Sequence, residues 1–264
     1  MLREMSVNGS FYPNDTKELV RYFEHFQELY DAKLHLTDVK TKAIIVPHAG
    51  YIYSGFTASI AYRTLALGGI KKFIIIGPSH KIAFKGISLA SFRSYDTPLG
   101  ELASDTKLVQ ELKNKFNLNF IPDAHHEHST EVQFPFIKHY IDNAKIVELV
   151  YGDAQVDDIS KIITYVLGLE DCGVIISTDL SHFYTLEHAN TLDNICLNAI
   201  KKRDVNLLKS GCEACGILGV EAMLISAKKL SLQVELLDYR TSADANEDTS
   251  KVVGYMSACF RNNT

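Results

Sequence analysis

No stretch of this chain approaches the roughly 18 uninterrupted apolar residues of a membrane span, and the opening Met1-Leu2-Arg3-Glu4 begins no signal peptide. The expectation is a cytoplasmic protein with no membrane contact. Charge of one sign is equally scarce. The 27 basic and 32 acidic residues leave a formal charge of −5, dispersed rather than in blocks, which argues against a nucleic-acid surface. Cysteines are few and odd in number: five in 264 residues fit reduced thiols better than a disulfide framework. Internal repeats, low-complexity segments and linkers are also missing. With 46% hydrophobic and 22% charged residues, the chain can bury a large core as one domain over residues 1–264.

Three segments stand out against this ordinary background. Ile44-Ile45-Val46 reads as a short buried strand that Pro47 stops, delivering His48 at its carboxyl end, with Gly50 permitting close backbone approach. Phe73-Ile74-Ile75-Ile76-Gly77-Pro78-Ser79-His80 repeats the device, and Val174-Ile175-Ile176-Ser177-Thr178-Asp179-Leu180-Ser181-His182 delivers a third histidine without the proline. Ligands of open α/β sheets bind beyond the carboxyl ends of the strands, so these histidines are candidates for one site.

The remaining periodicities supply the scaffold. Asp15 and Glu18 have capping-box spacing ahead of Leu19, Tyr22, Phe23, Phe26, Leu29 and Tyr30, which recur at helical intervals. A small-residue helix over Ser54 to Leu67 links the first two strands, a βαβ unit expected to set His48 and His80 side by side. One or two strands are predicted between Gly86 and Tyr95, then a helix capped by Ser104 with Leu108, Val109, Leu112 and Phe116 on one face. Within the polar cluster 123–133, Thr130 and Gln133 have capping-box spacing ahead of an apolar run. Ala144 to Val150 reads as a strand, Asp157 to Leu167 as a helix, and Val174 to Ser177 as a strand. Leu186, Ala189, Asp193, Cys196 and Ile200 mark a long helix in which Asp193 is the polar exception. A further helix runs to about Leu230, and Val234 to Tyr239 and Lys251 to Phe260 close the chain as strands. Strands alternating with helices predict a three-layer α/β fold with a largely parallel or mixed sheet, its antiparallel strands at the C-terminal edge.

Among the polar residues, His48 and His80 offer imidazole nitrogens that suit iron, copper, zinc or nickel. The plainer alternative is that each caps a loop. Asp179, three residues before His182, can fix that ring's tautomer for acid–base work, or can simply cap a helix-entry turn. Cys212-x-x-Cys215 reads as a redox couple or as half of a zinc site, with no second such pair to complete a structural zinc. Cys215 precedes a helix, whose free N–H groups are expected to favour its thiolate; a buried apolar thiol is the alternative. His125, His126, Glu127, His128 and Glu131 form either a solvated loop or the rim of a polar site.

The ordered motifs Val46-Pro47-His48-Ala49-Gly50-Tyr51, Gly77-Pro78-Ser79-His80, Glu127-His128-Ser129-x-Glu131-x-Gln133-x-Pro135, Ser177-Thr178-Asp179-x-x-His182 and Cys215-Gly216 together resemble the Memo family. So do Gly9-Ser10-Phe11-Tyr12-Pro13, Ser242-x-Asp244 and Val252-Val253-Gly254-Tyr255, and the likeness spans almost the whole chain. The resemblance implies the fold of class III extradiol dioxygenases, iron enzymes with a two-histidine, one-carboxylate site. It matches His48 and His80 to the histidine ligands and His182 to the catalytic histidine, with Asp179 beside it. Cys215 stands where those enzymes have the glutamate ligand. The implied cofactor is iron or copper, with zinc admissible on donor chemistry, and the implied activity is metal-dependent oxidoreduction of a small-molecule substrate. Tyr51, Ser79, His126, Glu127, His128 and Glu131 are then expected at the pocket or its rim, with Cys212 as a redox partner for Cys215. A second reading follows from the eukaryotic member: a binding module that takes a phosphorylated peptide or other anion in the same pocket. Prokaryotic relatives imply a radical-SAM partner protein. One local departure is Cys215-Gly216-Ile217-Leu218-Gly219, which lacks a proline expected soon after the Cys-Gly pair.

Overall fold

The computed structural model describes residues 1–31 and 41–262. The first half of the chain runs β1 (Leu2–Arg3), α1 (Thr16–Asp31), β2 (Thr41–Val46), α2 (Tyr51–Leu67), β3 (Lys72–Pro78), β4 (Ile87–Leu89), β5 (Ser94–Tyr95), β6 (Leu102–Ser104) and α3 (Thr106–Phe116). A short 3-10 turn (Pro122–His125) leads to α4 (His128–Glu131), α5 (Gln133–Tyr140) and β7 (Lys145–Tyr151). Then follow α6 (Val156–Leu167), β8 (Cys172–Ser177), β9 (His182–Tyr184), α7 (Leu186–Lys202), α8 (Val205–Leu208), α9 (Ile217–Lys229), β10 (Gln233–Thr241), α10 (Ala243–Asn246) and β11 (Val252–Arg261).

The strands join in the order β1-β5-β6-β7-β3-β8-β2-β11-β10, with β4 on β7 and β9 on β11. The central four, β7, β3, β8 and β2, are mutually parallel, while β11 and β10 add antiparallel strands at the C-terminal edge. β2 and β3 are not neighbours. Ile175 of β8 pairs with Ile44 on one side and Ile75 on the other, so the two strands are not adjacent; His48 and His80 lie side by side as expected, but across the end of β8. That segment is apolar on both faces, which suits it to the middle of a covered sheet.

Alternation along these strands sorts two cores. Ile44, Val46, Phe73, Ile75, Ile146 and Ile175 face α1, α2 and α5, where Phe23, Phe56 and Phe136 are buried. Ala43, Ile45, Ile74, Ile76, Val174 and Ile176 face α6, α7 and α9, against Ile162, Ile200 and Met223. Helices on both faces of a mixed sheet give the three layers predicted. Two caps differ from expectation. Asp105 rather than Ser104 caps α3, accepting from the Leu108 N–H at 3.0 Å, because Ser104 is the last residue of β6. Thr130 and Gln133 form no capping box. The Thr130 hydroxyl donates to Glu148 at 2.6 Å and the Gln133 amide to the Pro47 carbonyl at 2.9 Å, so tertiary partners outcompete the local ones. Asp15 does cap α1, accepting from the Glu18 N–H at 2.9 Å.

Asp193, the polar exception on α7, is buried because partners converge on it. Its carboxylate accepts from the Ser181 N–H at 2.9 Å and the Tyr239 hydroxyl at 2.8 Å. Gly254 lies against it so closely that a Cβ there would sit 1.9 Å from Asp193 Oδ2.

Candidate metal centre

Each strand-end histidine is placed by the sheet. His48 follows β2 after Pro47 and is 2% exposed, its backbone N–H bound to Asp179 Oδ1 at 2.7 Å. His80 follows β3, and its N–H donates to Glu127 Oε2 at 2.6 Å. The two rings meet edge to face with centroids 5.2 Å apart. A third ring, His128, comes from the turn α4 and lies 5.3 Å from His48 and 4.5 Å from His80. One ring nitrogen from each of the three lies within 4.8 Å of the others.

The hydrogen-bond network sets which nitrogen is free. Glu127 Oε1 lies 3.1 Å from His80 Nδ1 and 2.8 Å from His128 Nδ1. Burial opposes the Glu127 charge, but the hydrogen bonds from His128, from the His80 ring and from the His80 backbone hold its carboxyl well below the usual carboxylate range. A carboxylate only accepts, so both rings carry hydrogen at Nδ1, and in the neutral imidazole the lone pair is then at Nε2. At His48, Nδ1 lies 2.9 Å from Ser177 Oγ. The Ser177 hydroxyl gives its own hydrogen to the Ser129 carbonyl and accepts from the Gln133 amide, so it accepts from His48 Nδ1 too. All three rings therefore present Nε2, each held by an outer partner in the manner of metal-ligating histidines. Burial, followed by the His128 and His80 charges, pushes the His48 pKa down, which keeps this ring in the neutral, ligating form.

Cys215 reaches the same place from the loop before α9. Its Sγ lies 3.3 Å from His48 Nε2, beside the ring rather than among the three groups whose donors lie mutually within 4.8 Å. The expected thiolate is corrected. Burial first, and then the Asp179 charge, push the thiol up to about 12 despite the Asp179 and Gly216 N–H groups, so S–H donates to His48 Nε2 until a cation displaces the proton. The redox couple is corrected as well. Cys212 is bonded to Cys196 of α7, with Cα atoms 4.8 Å apart, leaving Cys172, Cys215 and Cys259 free. The expectation of all-reduced thiols therefore fails for one pair: a helix brings Cys196 to a cysteine 16 residues away, a proximity that spacing in the chain does not show.

Asp179 is buried at the end of β8. Burial raises its pKa, against the His48 N–H and the His182 charge. Its carboxylate thus anchors the His48 backbone. His182 opens β9 half-buried, paired with Val253. Of the rim candidates, Ser79 is half-buried, with its hydroxyl on the Ile82 carbonyl at 2.8 Å, and His126 is exposed. Glu127 and His128 are in the site itself. Tyr51 and Glu131 are not rim residues. Tyr51 is buried, its hydroxyl on the Val132 carbonyl at 2.9 Å. Glu131 is 0% exposed and paired with Arg3 at 2.6 Å. Both are held inward by partners remote in the chain.

His128 as a member of the metal cluster, and Ser177 and Gln133 as its supports, escaped the sequence reading. Their presence in the family motifs, and the expected place of His128 at the pocket or its rim, were the signals for them. No helix among the described residues is long and apolar enough to cross a membrane.

Comparison with known proteins agrees with these features. The family model described as Memo-like protein matches residues 3–259. A MEMO1 family protein of Methanobrevibacter smithii is 33% identical over 289 residues, covering 99% of this chain and all of that one. One from Aquifex aeolicus is 33% identical over 270 residues, covering 98% of this chain and 99% of its own length. Among solved structures, the uncharacterized protein JW3007 from Escherichia coli K12 superposes with a TM-score of 0.53 over 84% of this chain and 100% of that one. At 12% identity, that likeness concerns the fold alone. Motif order, site geometry and full-length similarity lead to one assignment: the chain belongs to the Memo-like protein family.

Proposed function

We propose that the protein is a metal-dependent redox enzyme whose iron or copper ion is held by His48, His80 and His128, with Cys215 at its side. The observation that carries this reading is the shared orientation of three imidazoles, each fixed through Nδ1 and clustered within 4.8 Å. Three neutral nitrogens suit a transition-metal cation, and the neighbouring thiol biases the set toward softer ions such as Cu(I). A bound ion supplies redox and Lewis-acid chemistry. Glu127 orients two of the rings, Ser177 orients the third, and Asp179 fixes the His48 backbone. In this reading His182, half-buried at the start of β9, exchanges a proton with a small-molecule substrate.

The test is metal analysis of anaerobically purified protein and of His48→Ala, His80→Ala, His128→Ala and Cys215→Ser, followed by an oxygen-consumption screen with small molecules. Near-stoichiometric metal in the parent, lost in each histidine variant, is expected. Metal content unchanged in all three folded histidine variants would overturn the reading and favour capture of an anionic ligand by the same pocket.

A further inference from the structure

α4 is a single turn, too short to hold its shape by its own hydrogen bonds, yet it carries His128 and is capped by Glu127. Something outside it must set its position. Arg3, on the two-residue strand β1, is 4% exposed. One arm of its guanidinium donates to Glu131 Oε2 at 2.6 Å, and the other to the Glu127 carbonyl at 3.2 Å. The side chain thus spans α4 from its cap to its last residue. Glu131 in turn accepts from the Ser6 and Val7 N–H groups at 2.7 and 2.8 Å and from the Tyr12 hydroxyl at 2.9 Å. Arg3 is the only cation paired with Glu131 among the described residues. It also lies 3.5 Å from Glu148 and 5.0 Å from the Phe134 ring centroid, so it is braced against two further elements.

We infer that Arg3 is a positioning residue for the histidine cluster: by clamping the Glu127 carbonyl and the Glu131 carboxylate, it holds α4 so that Glu127 can orient His80 and His128. The inference rests on the metal-centre reading only for its consequence in affinity; the ring orientation is a property of the metal-free chain. A planar fork that reaches two acceptors at once is a task for arginine, and lysine can satisfy it only in part. Ser129, Thr130 and Ser177 also hold α4, so losing Arg3 shifts the turn without releasing it.

The experiment uses the full chain as parent, Arg3→Gln and Arg3→Lys, each checked for folding by circular dichroism. Two readouts are taken: nitrogen-15 shifts of the histidine rings without metal, and titration with Co(II) followed by its d–d absorption. In the parent, His80 and His128 should show protonated Nδ1. In Arg3→Gln these signals should move toward averaged tautomers and Co(II) affinity should fall about tenfold, the low end for an outer-shell residue, with Arg3→Lys recovering part of both. Parental ring shifts in folded Arg3→Gln would overturn the inference even if the parent binds Co(II). Changed ring shifts together with no Co(II) binding by the parent would leave the positioning role standing and overturn the metal reading instead. Should Arg3→Gln fail to fold, Glu131→Gln removes the same clamp from the other side, and unaltered His80 and His128 shifts in it would overturn the inference equally.

Discussion

Glu127 Oε1 lies 2.8 Å from His128 Nδ1, and the same oxygen takes the Nδ1–H of His80 at 3.1 Å, so one carboxylate aims two rings of the candidate site. Its other oxygen accepts the His80 and Lys81 backbone N–H groups at 2.6 and 3.3 Å. Glu127→Gln must place an NH2 group against donors on one side or the other. Its metal affinity should drop by about 10- to 100-fold, the range for partners of ligating histidines. Competition titration with a chelating dye measures this, and parental affinity in the folded variant would deny Glu127 the orienting role.

The Cys196–Cys212 bond ties α7 to the loop that presents Cys215. Closing a loop of this length stabilises by about 3 kcal/mol, so reduction or Cys212→Ala should lower unfolding free energy by that order. Alkylation of unfolded, unreduced protein should label the three free thiols, Cys172, Cys215 and Cys259. Labelling of Cys196 and Cys212 as well would show that the bond is absent in solution.

Acid should act through Glu148. Its burial opposes the charge, but Arg3, then His125 and Thr130, leave its pKa below the ordinary 4.5. A depressed carboxyl contributes stability that is complete above 4.5 and is lost as pH falls through the lower folded value. Glu148→Gln should therefore weaken the fold at neutral pH by about 3 kcal/mol and flatten the fall in stability below about pH 4.5. Urea unfolding across that range checks both, and parallel curves for parent and variant would contradict the assignment.

Gly254→Ala should strike Asp193, since the added Cβ would lie 1.9 Å from its carboxylate oxygen. Overpacking at a buried site costs about 3 kcal/mol, and Asp193→Ala in the same chain should recover part of it by making room. Thermal melts of the two single variants and the double variant form the test. Strictly additive losses would mean that the two residues do not meet.

Much of the fold was legible along the chain. Runs such as Phe73 to Ile76 and Val174 to Ile176 announce strands covered on both faces, because only apolar side chains tolerate that environment. Proline at the last residue of a strand, as Pro78, or just beyond it, as Pro47, marks where the ladder ends, which is how His48 and His80 could be placed at strand ends and assigned to one site. Family likeness was legible too, since its motifs are short and local.

What the sequence by itself determined is therefore the alternation of strands and helices, the two strand-end histidines and the family to which they belong. Tertiary structure alone decided that β8 lies between their strands, that α4 turns His128 into the cluster and that Cys212 pairs with Cys196 instead of Cys215. It also decided that Glu131 and Tyr51 point inward and that burial raises the Cys215 thiol's pKa. The physical reason is common to all of these: each depends on partners brought from distant parts of the chain and on burial, which sets the cost of charge, and neither is encoded in the spacing of neighbouring residues.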